Sequence, residues 1–212
     1  MSSDKTRYDM HVHTKYSGDS RMEPADIVRI AKKKGLTGIA VTDHNTIKGG
    51  IEASENREGV NVIVGAEIMT DYGEVIGYRL NQEIKSRRIE EVIDEIKQQG
   101  GLVSVPHPFD TVRKGAIDQI KLGEIADRLD FVETRNARSF WFSNDKAARF
   151  AAEHNLPGLG GSDAHMAFEI GRCSTVFKDE EKMIVDHVEG ASNPLYPLYP
   201  LLRTKFYKTF HI

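Results

Sequence analysis

Histidines and carboxylates with metal-ligand spacing recur in this 212-residue sequence. His11 and His13 are separated by one residue, and Asp163 and His165 repeat the same spacing. Residues i and i+2 of a strand face the same side, so each pair can present two donor atoms to one ion. Imidazole and carboxylate groups bind zinc, iron and manganese. An isolated His-x-His motif is also compatible with two hydrogen-bonded surface histidines, so the surrounding sequence has to decide.

Most of the candidate ligands directly follow short apolar runs that are typical of buried strands. Five of the eight histidines and four acidic residues take such positions: His11, His13, His44, His107, His165, Asp43, Glu67, Glu133 and Asp163. Burying such groups without partners costs several kcal/mol each. A purely structural role would need a separate explanation at every position, whereas one metal cluster accounts for all of them. The pattern therefore predicts a shared metal site.

Strand and helix patterns alternate through most of the chain. The predicted strands span residues 8–14, 38–42, 60–66, 74–78, 102–106, 131–133, 156–160 and 173–177. Pro24 and Gly35 bound one predicted helix, and a second carries the apolar stripe Ile89, Val92, Ile93 and Ile96. Ser143 and Asp179 are typical N-cap residues, and they predict helices over residues 144–153 and 180–189.

This alternation predicts an α/β fold with a parallel sheet, either a barrel or a doubly wound sheet. In a barrel, the carboxyl ends of many strands converge on one mouth, whereas an open sheet gathers ligands from a few strands only. Because the candidate ligands follow so many strands, we expect a barrel. The sequence contains no linker, repeat or low-complexity tract, so we expect one domain over residues 1–190. The aromatic and basic segment 191–212 is expected to pack on or near it.

In combination, these motifs resemble those of the PHP (polymerase and histidinol phosphatase) family of metal-dependent phosphoesterases. The resemblance covers roughly residues 8–177, and it rests on five motifs: His11-x-His13, Thr42-Asp43-His44, Gly65-x-Glu67, Pro106-His107-Pro108 and Gly161-Ser162-Asp163-x-His165. It implies a single-domain α/β fold, a distorted (β/α)7 TIM-like barrel. It also implies catalysis at a centre formed by His11, His13, Glu67, His107, Asp163 and His165.

The resemblance further implies two or three divalent ions, of zinc, manganese or iron. The ligands of the first ion would be His11, His13, Glu67 and Asp163. Glu67 would bridge to a second ion that His107 also binds. The ligands of the third would be Asp19, His44 and His165, with Asp43 orienting neighbouring groups from outside the ligand set.

One segment departs from the pattern of the family. Many relatives supply a further histidine to the second ion from the segment between the strands of Glu67 and His107. Here residues 71–78 contain no histidine. The second ion would then be held by Glu67, His107 and either Glu74 or water, and both two and three bound ions stay open.

Clustered divalent metals suit hydrolysis of phosphate esters by an activated water, without a protein nucleophile. We therefore expect Cys173 to be structural. The phosphate needs cationic or amide donors, and the candidates are Arg135, Arg138 and Asn136, with Lys15, Arg113, Lys114 and Arg172 as further cations. For each single arginine, an ordinary solvated loop position is an equal alternative.

The expected substrate is a phosphomonoester or small nucleotide. The alternatives are an exonuclease or phosphodiesterase that acts on DNA or RNA ends, and a non-catalytic metal-binding accessory module. With 29 basic and 32 acidic residues, the net charge of −3 excludes a nonspecific DNA-coating protein and does not favour nucleic acid as partner. The single cysteine and the absence of a long apolar run predict a cytoplasmic protein without a membrane partner.

Overall fold

The computed structural model describes residues 6–190, which form one nine-stranded sheet with helices. The strands are β1 (Thr6–Val12), β2 (Gly38–His44), β3 (Asn61–Thr70), β4 (Gly73–Tyr78), β5 (Leu102–Val105), β6 (Phe131–Asn136), β7 (Gly158–Gly161), β8 (Cys173–Asp179) and β9 (Ile184–Gly190). The α-helices are α1 (Pro24–Lys33), α2 (Lys48–Glu55), α3 (Ile89–Gln98), α4 (Gln119–Glu124) and α5 (Trp141–Glu153). Short 3-10 turns cover Lys15–Ser17 and Ala126–Arg128.

The sheet order β7-β6-β5-β4-β3-β2-β1-β8-β9 curls into a nearly closed barrel. The chain just after β7 returns to β1, where the His13 N–H donates to the Ala164 carbonyl at 2.9 Å. The buried Asp9 carboxylate stabilises this seam, because it accepts the backbone N–H groups of Ser162 at 2.8 Å and Gly171 at 2.7 Å. Strands β1–β7 thus form the distorted seven-stranded barrel that was predicted, and β8 and β9 form a hairpin beside β1.

The barrel is distorted because β4 runs in the opposite direction to its two neighbouring strands. The pairs β1–β2, β2–β3, β5–β6 and β6–β7 are parallel, whereas β4 is antiparallel to both β3 and β5. A tight turn joins β3 to β4, and Gly73 takes a φ of +124° there, with its Cα against the backbone of Ile117. The start of β4 therefore lies at the same barrel mouth as the ends of its parallel neighbours, and Glu74 enters that mouth.

The helices cover the outside of the barrel. Helix α3 buries Ile89, Val92, Ile93 and Ile96, as its sequence period predicted. Full burial of such aliphatic side chains contributes about 1.5–3 kcal/mol each. Helix α1 begins at Pro24, and the chain leaves it through Gly35 at a φ of +67°. None of the helices between residues 6 and 190 is long and apolar enough to span a bilayer.

Two predicted elements differ in the structure. The helix predicted over residues 180–189 is wrong, because Ile184–Gly190 forms β9 and pairs antiparallel with β8. Asp179 does accept the N–H of Lys182 at 3.0 Å, as an N-cap would, but the chain turns there instead of continuing as a helix. Helix α5 begins at Trp141, so Ser143 lies inside its first turn. The predicted packing of segment 191–212 lies outside the described residues.

Candidate metal centre

A cavity of about 240 Å³ opens at the barrel mouth. Its lining consists mainly of charged and imidazole side chains: Asp19, His44, Glu67, Glu74, His107, Arg113, Gly115, Arg138, Asp163 and His165. His11 and His13 are fully buried and contact this lining. The eight metal ligands expected from the sequence therefore lie close together, although they come from six different segments of the chain.

The first ligand group consists of His11, His13, Glu67 and Asp163. The Nε2 atoms of His11 and His13 are 3.0 Å apart. Glu67 Oε2 lies 3.4 Å from each of these nitrogens, and Asp163 Oδ1 lies 3.4 Å from His13 Nε2 and 3.8 Å from His11 Nε2. Four donor atoms thus surround one point, which is the arrangement expected around a single ion.

Hydrogen bonds fix which nitrogen of each ring faces this point. His11 Nδ1 lies 3.0 Å from Glu133 Oε1, so it carries the proton and donates it. Ser17 Oγ donates to Asp43 at 2.8 Å, so it accepts the proton of His13 Nδ1 at 2.8 Å. Both Nε2 atoms then face each other at 3.0 Å. They can share one cation, either a proton on His11 or a metal ion, and the donor set therefore fits a metal.

The third ligand group lies nearer the opening of the cavity. Asp19 Oδ2 is 2.8 Å from His165 Nε2 and 3.4 Å from His44 Nε2. These three side chains and His13 place donor atoms within 4.8 Å of one another. The Asp19 side chain is 46% exposed and that of His44 is 30% exposed, so solvent and substrate reach this group from outside.

The second ligand group is organised around the other oxygen of Glu67. Glu67 Oε1 lies 3.1 Å from His107 Nε2, while its Oε2 faces the first group and His44 Nδ1 at 3.2 Å. Glu67 therefore presents one oxygen to His107 and the other to the first group and His44. Glu74 completes this group, with Oε2 3.7 Å from His107 Nε2 and Oε1 3.8 Å from His44 Nδ1.

The pKa values of several residues at the cavity differ strongly from their usual values, because these charged groups are buried close together. Burial alone would lower the pKa of His11, but the charges of Glu67 and Glu133 outweigh it and raise that pKa well above its usual value. Burial and the neighbouring His165 lower the pKa of His13 to about 3, which keeps this ring neutral. Burial and the charge of Glu67 raise the pKa of Glu74 to about 7. Several carboxylates thus share one site, as groups that bind divalent cations do.

Outside the ligand groups, buried residues hold the ligands in place. Glu133 accepts from His11 Nδ1, from the His107 backbone N–H at 2.7 Å and from Asn136 Nδ2 at 3.0 Å. Asp43 accepts the N–H of Thr14 at 2.6 Å and so fixes the chain that follows His13. The sequence pattern identified Glu133 at a strand end but did not predict its role. Its partner His11 is 122 residues away, so no local pattern connects the two residues. Asp43 accepts hydrogen bonds from Thr14 and Ser17, and its role outside the ligand set stays a prediction.

The predicted phosphate-binding residues are distributed differently. Arg138 lines the cavity, and one of its guanidinium nitrogens lies 2.8 Å from His165 Nδ1. Arg113, a further candidate cation, also lines it and donates to Asp163. Arg135 is not brought to the cavity, because it extends from β6 toward β9 and donates to the Gly190 carbonyl at 3.0 Å. Asn136 lies behind the cavity wall, 3.2 Å from Asp163 Oδ2.

Of the remaining cations, Lys15 pairs with Glu23 at 2.6 Å, and Arg172 lies over the ring of Phe168. Cys173 is buried at the start of β8, and its burial raises the pKa of the thiol to about 12. A thiol in this state is a poor nucleophile.

Two ligand positions adopt a left-handed backbone although they are not glycine. His107 has a φ of +28° and Asp163 a φ of +54°. Such conformations cost of order 1–3 kcal/mol each, and they persist where the surrounding structure holds them for a functional reason. Here they turn the two side chains back over the barrel mouth at the ends of β5 and β7.

Residues 9–122 match the family model described as the PHP domain, which is more than half of the chain. The chain belongs to the PHP family. A second model, described as PHP-associated, matches residues 141–189, which include α5 and the β8–β9 hairpin. The family resemblance inferred from the five motifs is thereby confirmed.

This PHP protein is similar to proteins of several kinds. It is 48% identical over 142 residues to an uncharacterised protein of Methanocaldococcus jannaschii, covering 61% of this chain and 81% of that protein. It is 33% identical over 133 residues to a DNA polymerase III of PolC type from Oceanobacillus iheyensis, covering 61% of this chain and 9% of the polymerase.

Among solved structures, this chain superposes with a TM-score of 0.70 on a two-domain protein of Bacteroides vulgatus. That protein is described as containing a predicted PHP-like metal-dependent phosphoesterase. The superposition covers 93% of this chain and 71% of that one at 18% sequence identity. The likeness at this identity is one of fold, and it confirms the PHP-type barrel.

Proposed function

We propose that this PHP protein hydrolyses phosphate esters, either phosphomonoesters or small nucleotides, with two or three divalent ions of zinc, manganese or iron. The observation that carries the proposal is the convergence of clustered histidines and carboxylates, together with two arginines, at one cavity. The groups would hold the ions as the sequence suggested, with His11, His13 and Asp163 on the first, His107 on the second, and Asp19, His44 and His165 on the third. Glu67 would bridge the first two.

Divalent ions at such a site supply a hydrolytic nucleophile at neutral pH and offset the charge of the phosphate. The protein supplies the positioning. Glu133 and the Ser17–Asp43 pair keep the lone pairs of His11 and His13 pointed inward. Arg113 and Arg138 lie on the cavity wall, where their guanidinium groups can bind phosphoryl oxygens in bidentate fashion.

The size of the cavity favours a terminal phosphate group. Pockets that enclose a whole drug-sized ligand usually measure about 300–1,000 Å³. The 240 Å³ here suffices for the ions and a phosphoryl group, so the remainder of the substrate would lie at the rim. This arrangement supports hydrolysis of a monoester over attack within a long diester chain.

A second candidate is an exonuclease or phosphodiesterase that acts on DNA or RNA ends. The observation in its favour is an exposed aromatic pair at the start of α5, three residues beyond Arg138. Trp141 is 62% exposed and Phe142 is 45% exposed. Nucleobases stack on such side chains without sequence preference. The similarity to a polymerase also keeps open the third alternative, a non-catalytic accessory module.

The proposal is tested with His13→Ala and Asp163→Ala, assayed for bound manganese by elemental analysis and for hydrolysis of 4-nitrophenyl phosphate. Both variants should lose metal and activity while circular dichroism shows an intact fold, because the two side chains contact each other at the polar centre rather than the apolar clusters that stabilise the barrel. Lys146→Ala, on the outer helix α5, serves as the control and should behave like the parent protein. Full activity in either site variant would contradict the proposal.

A further inference from the structure

We propose that Glu74 is a direct ligand of the second metal ion, in a site shared with Glu67 and His107. The inference rests on the proposed metal-dependent function and specifies one of its ligands. Residues 71–78 contain no histidine, so the segment that bears one in many PHP relatives here offers carboxylates instead. Of these carboxylates, the structure brings that of Glu74 into the cavity.

The reversed direction of β4 places Glu74 in the cavity. Because β4 runs antiparallel to β3 and β5, its second residue lies at the mouth rather than at the far end of the barrel. The Glu74 N–H donates to the Gly115 carbonyl at 2.9 Å, which fixes the backbone against the loop after β5. The side chain then points toward His107 and His44.

The local packing leaves room for the Glu74 carboxylate. A Cβ atom on Gly115 would lie 1.9 Å from Glu74 Oε2 and 2.1 Å from its Cδ. Gly115 has no positive φ, so its backbone would accept another residue. Glycine at position 115 therefore leaves free the space that the Glu74 carboxylate occupies.

The surroundings of this carboxylate lack the donors that usually stabilise a buried charge. The Glu74 side chain is 9% exposed, and within residues 6–190 neither of its oxygens accepts a hydrogen bond. Its imidazole neighbours are His107 Nε2 at 3.7 Å and His44 Nδ1 at 3.8 Å, which is too far for a hydrogen bond but compatible with shared ligation of an ion. An uncompensated buried carboxylate is costly, and a divalent cation would offset that cost.

The composition of the site determines which ions it tolerates. Two carboxylates and one imidazole form a harder donor set than the two imidazoles and two carboxylates of the first group. Imidazole suits zinc and iron, whereas carboxylates suit manganese and magnesium. The preference for zinc over manganese should therefore be smaller at the second site than at the first.

The test is a manganese titration of metal-stripped protein, in which the electron paramagnetic resonance signal of free Mn²⁺ gives the number and affinity of bound ions. Glu74→Gln should weaken one manganese equivalent at least about 100-fold, and Gly115→Ala should weaken the same equivalent about 10- to 100-fold, the range for changes outside the ligand set. Glu83→Gln is the matched control. This carboxylate accepts hydrogen bonds from Thr46 and Ile47 outside the cavity, and its loss should leave every equivalent unchanged.

The readout separates the two proposals. Unchanged number and affinity of manganese ions in both Glu74→Gln and Gly115→Ala would overturn the role of Glu74 and leave the proposed function standing. Failure of the parent protein to bind manganese or zinc at all would overturn both. Because Gly115→Ala changes no ligand atom, it keeps the test valid even where the glutamine variant folds poorly.

Discussion

Replacing Glu133 by glutamine tests whether hydrogen bonds outside the ligand set control the metal centre. Glu133 Oε2 accepts from two donors, the His107 N–H and Asn136 Nδ2, whereas Oε1 accepts from His11 Nδ1 alone. A glutamine would keep its carbonyl oxygen toward the two donors and turn its NH₂ group toward His11. His11 Nδ1 would then have to accept a hydrogen bond, and the ring proton would move to Nε2, the atom proposed to bind the first ion.

The magnitude follows from the interaction that is lost. A hydrogen bond to a charged group contributes about 1.5–3 kcal/mol. Each 1.4 kcal/mol changes an equilibrium tenfold, so the affinity of the first ion should fall by about 10- to 150-fold. The stability of the fold should fall much less, because glutamine retains the two hydrogen bonds at the Oε2 position.

Competition with a chromogenic chelator measures the affinity, and urea denaturation measures the free energy of unfolding. Glu95→Gln is the control for the same chemical change, since Glu95 accepts the N–H groups of Lys85 and Ser86 on the outer surface. An unchanged metal affinity in Glu133→Gln would refute the reasoning. So would a large loss of stability with the affinity intact, which would make Glu133 a structural residue only.

Three further predictions concern the cavity wall and the barrel seam. Arg138→Ala should lower kcat/KM for a phosphomonoester by about 10- to 100-fold, the equivalent of about 1.5–3 kcal/mol of charged hydrogen bonding. Arg135→Ala should change kcat/KM less than about twofold. Equal losses in both variants in steady-state kinetics would contradict the placement of Arg138. Asp9→Asn should lower the free energy of unfolding by about 2–4 kcal/mol, because an NH₂ group would face the backbone donors at the seam. An unchanged urea midpoint would show that the seam does not depend on this carboxylate. Gly161→Ala should displace His11, whose Cβ lies 2.4 Å from the added methyl position, and reduce bound metal in elemental analysis; full metal content would argue against this tight packing.

The clustering of the candidate ligands was predictable because their signals are local. His11 and His13 share one strand face, and Asp163 and His165 repeat that spacing at the end of another predicted strand. The barrel followed from the number of strands that end in polar residues. Both inferences use residue types and short spacings, which do not depend on how distant segments pair.

The direction of β4 was not predictable in the same way. An apolar run indicates a strand but does not tell whether its neighbours are parallel or antiparallel. The hairpin after Thr70 depends on Gly73 packing against Ile117, a contact between segments far apart in sequence. Hairpin pairing with β8 likewise makes residues 184–190 a strand where the local pattern suggested a helix.

The orientation of the arginines also depends on long-range structure. Arg135 and Arg138 are three residues apart, and nothing local distinguishes them as phosphate ligands. In the structure, the register of β6 against β7 shifts between Glu133 and Arg135, and Arg135 then faces β9. Arg138 lies beyond the strand end, where the loop turns it toward His165.

The most direct test of the account is hydrolysis of 4-nitrophenyl phosphate and bis(4-nitrophenyl) phosphate by metal-stripped protein before and after addition of manganese. The account predicts no turnover without metal, turnover with it, and a higher kcat/KM for the monoester, because the cavity holds little more than ions and a terminal phosphoryl group. A preference for the diester would favour the nuclease alternative. No turnover of either ester by protein with bound manganese would contradict the central claim that this metal centre is hydrolytic.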